Sequence, residues 1–295
     1  MKSGISFRAL LRLALRPDRD NVRAPIIPPM KSPVCRILAA ATLALPLLRA
    51  AEAAPTVARA AADVPVAVVE SADNWTLDNG IVKAVVLKRN GKLVSLAYKG
   101  AETLNRNSES WEQLPAGTVT QALTIDPAGT GGERAEVAVK GVNGRMDIEV
   151  RYALERGVSG IYTYAIYSHG AGYPASGEGE SRFINQLSSD FDWLSVDADR
   201  NMPMCTVADT RAGVVIHAKE QRILSTGIYK NSVEHKYSYC AEMYKLPAYG
   251  WSSIKNHVGV WMINPSNEYL GGGPTRIDLV CHMGATMLDY WTSGH

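Results

Sequence analysis

Along most of the chain apolar and polar residues alternate with a period of two, the repeat of a half-buried β-strand rather than a helix. The first clear case runs Trp75-Thr76-Leu77-Asp78 into Asn79-Gly80. A second apolar run at 81–87 is followed by Arg89-Asn90-Gly91-Lys92 and a third run at 93–98. Two apolar runs around a short Asn-Gly loop predict a β-hairpin, because that dipeptide tolerates the positive φ angles of tight hairpin turns. Further strands are predicted at 118–125, 134–139, 146–154, 161–167, 182–187, 214–216, 236–244, 258–263 and 275–280, many of them separated by Pro, Gly or Asn. Beyond the N-terminal leader no stretch keeps a 3.6-residue period over three turns. Many short strands at near-regular spacing predict an all-β sandwich.

The first 54 residues follow a different pattern. From Met30, Lys31 and Arg36 precede an apolar run at 37–48, and a mostly small-residue stretch at 50–54 suits a signal peptidase. The run is shorter than the ~20 residues that span a bilayer. The expected organisation is a leader at 1–54 with a signal peptide starting at Met30, a linker at 55–66 and one β-domain at 67–295. Residues 1–29, with their many arginines, read as an upstream misassigned start or an extended leader; a membrane-anchored N-terminus is the alternative. The expected destination is extracellular.

Charge changes the picture little. Of 31 Lys and Arg and 29 Asp and Glu, nine and three lie in the leader, leaving 22 against 26 and a net of about −4. An acidic body has no electrostatic footprint for nucleic acid. Cys205, Cys240 and Cys281 remain after the leader, an odd number without Cys-x-x-Cys spacing, which admits one disulfide with a free thiol or three thiols.

Most standard catalytic constellations are missing. There is no Gly-x-Ser-x-Gly elbow, and Gly271-Gly272-Gly273-Pro274 lacks the Lys-Ser/Thr of a phosphate loop. The six histidines are far apart in sequence, so no metal site is assigned. Three carboxylate pairs, Glu178/Glu180, Asp190/Asp192 and Asp197/Asp199, keep glycoside hydrolysis as a second chemistry. Aromatic residues crowd the second half, among them Tyr237, Tyr239, Tyr244, Tyr249 and Trp251, as a sugar groove or a sandwich core would require. Asn74-Trp75-Thr76 is a glycosylation sequon.

From residue 157 onward a series of motifs carries a resemblance. Gly157-Val158-Ser159-Gly160-Ile161-Tyr162, Gly179-Glu180-Ser181-Arg182-Phe183 and Asp199-Arg200-Asn201-Met202-Pro203 come first. Glu234-His235-Lys236-Tyr237, Gly250-Trp251-Ser252-Ser253, Asn264-Pro265-Ser266-Asn267 and Tyr290-Trp291-Thr292-Ser293-Gly294-His295 follow. In order and spacing the series resembles the polysaccharide lyase family 4 rhamnogalacturonan lyases, and residues 77–98 resemble that family's opening strands. The resemblance implies a super-β-sandwich like galactose mutarotase and a groove for rhamnogalacturonan I, a pectic polysaccharide of the plant cell wall. It implies cleavage of the rhamnose–galacturonate bond by β-elimination, with Lys236 as base, His295 as acid, and Arg182 and Tyr290 as substrate-binding residues.

These residue types suit the chemistry. An arginine in bidentate contact with the uronate carboxylate would neutralise it and favour loss of the adjacent proton. A lysine serves as base only where neighbouring cations or desolvation disfavour its ammonium form. A histidine can return a proton to the leaving oxygen. On a strand Lys236 would share a face with Glu234 and Ser238, opposite Tyr237 and Tyr239.

No cofactor is implied, a structural calcium is left open, and a monomer is expected. Family members continue beyond Ser-Gly-His into fibronectin-III-like and jelly-roll domains, whereas here His295 is the last residue, next to the terminal carboxylate. An inactive sugar-binding module is therefore the reading from a different functional class.

Overall fold

The computed structural model describes residues 5–15 and 64–292, apart from residues 107, 109, 178, 218–219, 265–274 and 283. The fold is all-β, with almost every described element a strand in an antiparallel sheet. A nine-stranded sheet runs in the spatial order Asn201–Pro203, Trp193–Ser195, Tyr249–Ser253, Val258–Ile263, Ile5–Leu15, Gly160–Ser168, Met146–Glu155, Arg134–Asn143 and Ala116–Ile125. A five-stranded sheet holds Ala67–Glu70, Asn74–Asp78, Val82–Leu87, Leu93–Tyr98 and Ala101–Glu102. A four-stranded sheet is ordered Cys281–His282, Thr286–Thr292, Ser181–Gln186 and Ser110–Trp111.

The period of two is visible in the burial of these strands. In Val82–Leu87 the residues Val82, Ala84 and Val86 are buried and Lys83 is exposed. The predicted hairpin is present: Val82 pairs with Tyr98 and Ala84 with Leu96, and Gly91 takes φ +73° in the connecting loop. A Cβ at Gly91 would also stand 2.2 Å from Val150, so the loop can close onto the large sheet only as glycine. All three sheets share one core, in which Leu77, Val86, Val139, Val150, Phe183 and Met287 belong to a single cluster.

Polar pins cross the layers. Asn79 donates through Nδ2 to the carbonyls of Glu155 and Val158 at 2.7 and 2.9 Å. Trp111 meets Phe183 edge to face at 5.3 Å, and its indole nitrogen donates to Thr163 Oγ1 at 2.9 Å. Gly250 of the Gly-Trp-Ser-Ser motif lies opposite Trp261, where a Cβ would collide with the Val260 carbonyl, so the motif's glycine permits close strand approach.

Several expectations are corrected. Residues 236–244 are not one strand: a 3-10 turn, Lys236–Tyr239, leads into the strand Cys240–Glu242 and a second turn, Met243–Lys245. The cause is Glu234, buried at 7% exposure, whose two carboxylate oxygens accept from the Tyr239 hydroxyl at 2.9 and 2.8 Å. On a strand, residues five apart would lie about 16 Å apart and point to opposite faces, so satisfying this buried carboxylate bends the chain. Lys236 therefore does not share a strand face with Glu234 and Ser238.

The strand Val233–His235 pairs with Gln221–Ile223, which pairs with Val214–Val215, making a small sheet beside this turn. Cys205, Cys240 and Cys281 are three free thiols. Residues 5–15, assigned from sequence to the leader, form a strand between Gly160–Ser168 and Val258–Ile263. The expected signal peptide, residues 30–54, lies outside the described residues, as do the glycine run and His295. Among the described residues no helix is long and apolar enough to cross a membrane.

Candidate functional site

Lys236 opens the 3-10 turn, and that turn is anchored on several sides. Before it lies the buried Glu234, joined to Tyr239 as above. Arg200 donates through Nη1 to the carbonyls of Cys240 at 2.7 Å and Ser238 at 3.3 Å, and is itself gripped by Asp197. Val280 donates its amide to the Tyr239 carbonyl at 3.3 Å. The Asp-Arg-Asn-Met-Pro motif thus contributes a clamp that holds the lysine's backbone in place.

Lys236 Nζ lies 2.6 Å from Glu220 Oε1. The small sheet explains the meeting. Gln221 pairs with His235, so the next position outward on each strand places Glu220 opposite Lys236. The Lys236 ammonium is the main cause holding the Glu220 carboxyl below its usual range. Only 17% of the lysine side chain is exposed, and its ammonium also sits 5.3 Å from the ring centre of the exposed Tyr237.

His282 approaches the same carboxylate. Its Nε2 lies 3.8 Å from Glu220 Oε1, so one oxygen faces both the lysine and the histidine. Burial, followed by the positive charges of Lys236 and Arg182, lowers the His282 pKa from its ordinary value, and Glu220 opposes that shift. His282 also forms one wall of a cavity of about 180 Å³ lined by Val207, Thr210, Arg211, Arg222 and Gly284.

Arg182 lies on the strand Ser181–Gln186 of the sheet that carries His282. The two strands flank Thr286–Thr292, with Arg182 opposite Tyr290 and Gln186 and His282 both opposite Thr286. Cross-strand partners share a face, so Arg182 and His282 occupy the same side of the sheet. The Arg182 guanidinium forks onto Glu112, with Nε to Oε2 at 2.7 Å and Nη2 to Oε1 at 2.9 Å, while Nη1 reaches Glu180 at 3.2 Å.

The structure thus brings Lys236, Arg182 and the backbone position of Tyr290 to one region, and His295 falls outside the described residues. Sequence reasoning missed Glu220, Glu112 and His282. The only sequence signal for Glu220 is its place one residue before a short apolar-polar run, legible once the strand register is known.

Of the carboxylates considered for hydrolysis, Glu178 lies outside the described residues, and one member of each pair is engaged elsewhere. Asp197 binds Arg200, Glu180 binds Arg182, and Asp190 meets Lys255 and Asn256. Asp190 and Asp197 are held below the usual carboxylate range by these contacts, the opposite of a general acid's requirement. Of the crowded aromatics, Tyr239, Tyr249 and Trp251 are buried core, and Tyr237 and Tyr244 are exposed.

Comparison with known proteins relates the chain to rhamnogalacturonate lyases. Residues 134–229 match the model of the rhamnogalacturonate lyase family, about a third of the chain, which includes Arg182 and Glu220 and ends short of Lys236. Over 243 residues the chain is 25% identical to the rhamnogalacturonate lyase of Dickeya dadantii (strain 3937), covering 75% of this chain and 39% of that relative. The chain thus spans about two fifths of the length of the curated relative it matches, and its all-β body is similar to the rhamnogalacturonate lyase family from Arg134 to Tyr229.

Proposed function

We propose that this chain carries the catalytic β-sandwich of an exported lyase that cleaves rhamnogalacturonan I at the rhamnose–galacturonate bond by β-elimination. The observation that carries the reading is the convergence of Lys236 and His282 on one Glu220 carboxylate oxygen, with His282 on the sheet face that also bears Arg182. The two similarities to rhamnogalacturonate lyases support it.

In this reading a uronate carboxylate displaces Glu112 or Glu180 from Arg182, whose guanidinium is already held in a fork geometry by them. Neutralising that carboxylate makes the proton on C5 easier to remove. Lys236, once unprotonated, takes this proton. The C5–H electron pair forms the C4–C5 double bond, the C4–O bond breaks, and the leaving oxygen takes a proton. His295 supplies that proton in the assignment carried over from the motif resemblance. Glu220 steadies the lysine between turnovers and keeps its charge compensated at rest.

A carbohydrate-binding module without catalysis is the second reading, favoured by the Lys236–Glu220 and Arg182–Glu112 pairs, which leave both cations compensated. Incubation with rhamnogalacturonan I, followed by ultraviolet absorbance of the unsaturated uronate, separates the two. The absorbance should rise with the wild-type chain and not with Lys236→Ala, which should still bind the polysaccharide. Binding without any rise in absorbance would leave only the module.

A further inference from the structure

We propose that the cavity behind His282 is a subsite for the carboxylate of a uronic acid, distinct from the Arg182 position and reading a neighbouring uronate along the same polymer. The inference rests on the polysaccharide reading above and adds a second anchor to it. The cavity is lined by Val207, Thr210, Arg211, Arg222, His282 and Gly284, two guanidiniums and an imidazole with no acidic residue among them. That lining is unusual where residues 55–295 carry 22 Lys and Arg against 26 Asp and Glu.

The acidic residues nearest in the chain are engaged elsewhere. Asp209, on the same short helix as Arg211, accepts from the hydroxyls of Thr206 and Thr226. Glu234, opposite Arg222 in the strand register, accepts from Tyr239. Glu220 accepts from Lys236, with His282 3.8 Å from the same oxygen.

The two arginines are built differently. Arg222 is held, since its Nη1 donates to the Gly213 carbonyl at 3.2 Å, while its buried Nε has no hydrogen-bond partner among the described residues. A buried donor of this kind is costly unless an acceptor arrives. Arg211 is exposed in the last turn of the helix Val207–Ala212. The apolar part of the wall, Val207 packed close to Gly284, suits the face of a sugar ring. A carboxylate satisfies Arg222, a sugar ring covers Val207, and His282 joins the subsite to the Lys236 pair.

The test compares calorimetric affinities for rhamnogalacturonan I oligosaccharides with those for the same oligosaccharides after carboxyl reduction, which converts galacturonate to galactose. Wild type should favour the native form. Arg211→Gln should weaken native binding by roughly ten-fold, the size expected for one charge-assisted hydrogen bond, and leave reduced-oligosaccharide binding unchanged. Arg222→Lys, which keeps a cation but loses the fork, should act in the same direction, with circular dichroism checking the fold. If Arg211→Gln weakens both ligands equally or neither, the subsite is refuted. The absorbance assay separates this failure from that of the lyase reading. Elimination with unaltered discrimination removes the subsite alone, and discrimination without elimination removes the lyase alone.

Discussion

Lys236 and Glu220 share a 2.6 Å ion pair across the end of a two-strand ladder, and His282 stands 3.8 Å from the same glutamate oxygen. The pair defines the resting state of the candidate site: a protonated lysine on a carboxylate held below its usual range. In the proposed elimination the base must be unprotonated when it acts, so Lys236 would give its proton up and return to Glu220 after each cycle.

This separates charge from basicity at Lys236. Lys236→Arg should keep the ion pair with Glu220 and the fold, because the guanidinium is also a cation with several donors. It should still lose elimination by about 10²- to 10⁴-fold, the usual contribution of a positioned base, because arginine does not deprotonate. Rates of unsaturated-uronate formation, set beside unchanged melting curves, make the check. An arginine variant with near-wild-type rate would show that position 236 supplies only charge.

His282 offers a reading of the same cluster by titration. Burial and the charges of Lys236 and Arg182 lower its pKa, and Glu220 raises it. Lys236→Met removes one cation and leaves Glu220 without its partner, so the His282 titration should move up in pH. Arg182→Gln should move it the same way by less, since Arg182 is the smaller cause. Proton–carbon NMR of the ring across pH 4–8 measures both. A midpoint unmoved by Lys236→Met would place the histidine outside the lysine's field.

Asp289 predicts how stability depends on pH. It is fully buried on the strand Thr286–Thr292, and burial pushes its pKa up to about 7, against a hydrogen bond from Tyr249 that lowers it. A raised folded-state pKa means that the fold favours the protonated acid. Its contribution is complete below the unfolded value of about 4 and is lost as pH rises to 7, at about 1.4 kcal/mol per pH unit. Asp289→Asn stays neutral throughout, so the variant should gain on wild type between pH 5 and 8. Urea midpoints at the two pH values give the difference, and parallel shifts would contradict the assignment.

Trp111 links the site's sheet to the large one. It is 1% exposed, packs on Phe183 and donates to the buried Thr163 hydroxyl. Trp111→Ala should cost about 3–5 kcal/mol through the cavity it leaves. Trp111→Phe keeps most of the ring contact and should cost about 1–3 kcal/mol for the lost hydrogen bond to Thr163. Chemical denaturation of both variants tests the order, and equal losses would mean that the ring contact contributes little beyond the hydrogen bond.

What the sequence determined by itself is local. Alternation at residues 82–87 sorts residues to the two faces of a strand whatever it packs against, so the all-β class was legible. Asn90-Gly91 sets its turn through backbone sterics alone. Lys236 and Arg182 could be singled out from sequence because their motifs are contiguous.

Tertiary structure decided the rest, since it depends on groups that meet only after strands choose their register. Glu220 is 16 residues from Lys236 and becomes its partner only when Gln221 pairs with His235. The alternating pattern at 236–239 promised a strand, and a buried glutamate needing a hydrogen bond from Tyr239 made it a turn. A local pattern dictates which face a side chain prefers; the satisfaction of buried charge, which is non-local, dictates where the chain bends and which groups stand beside the lysine.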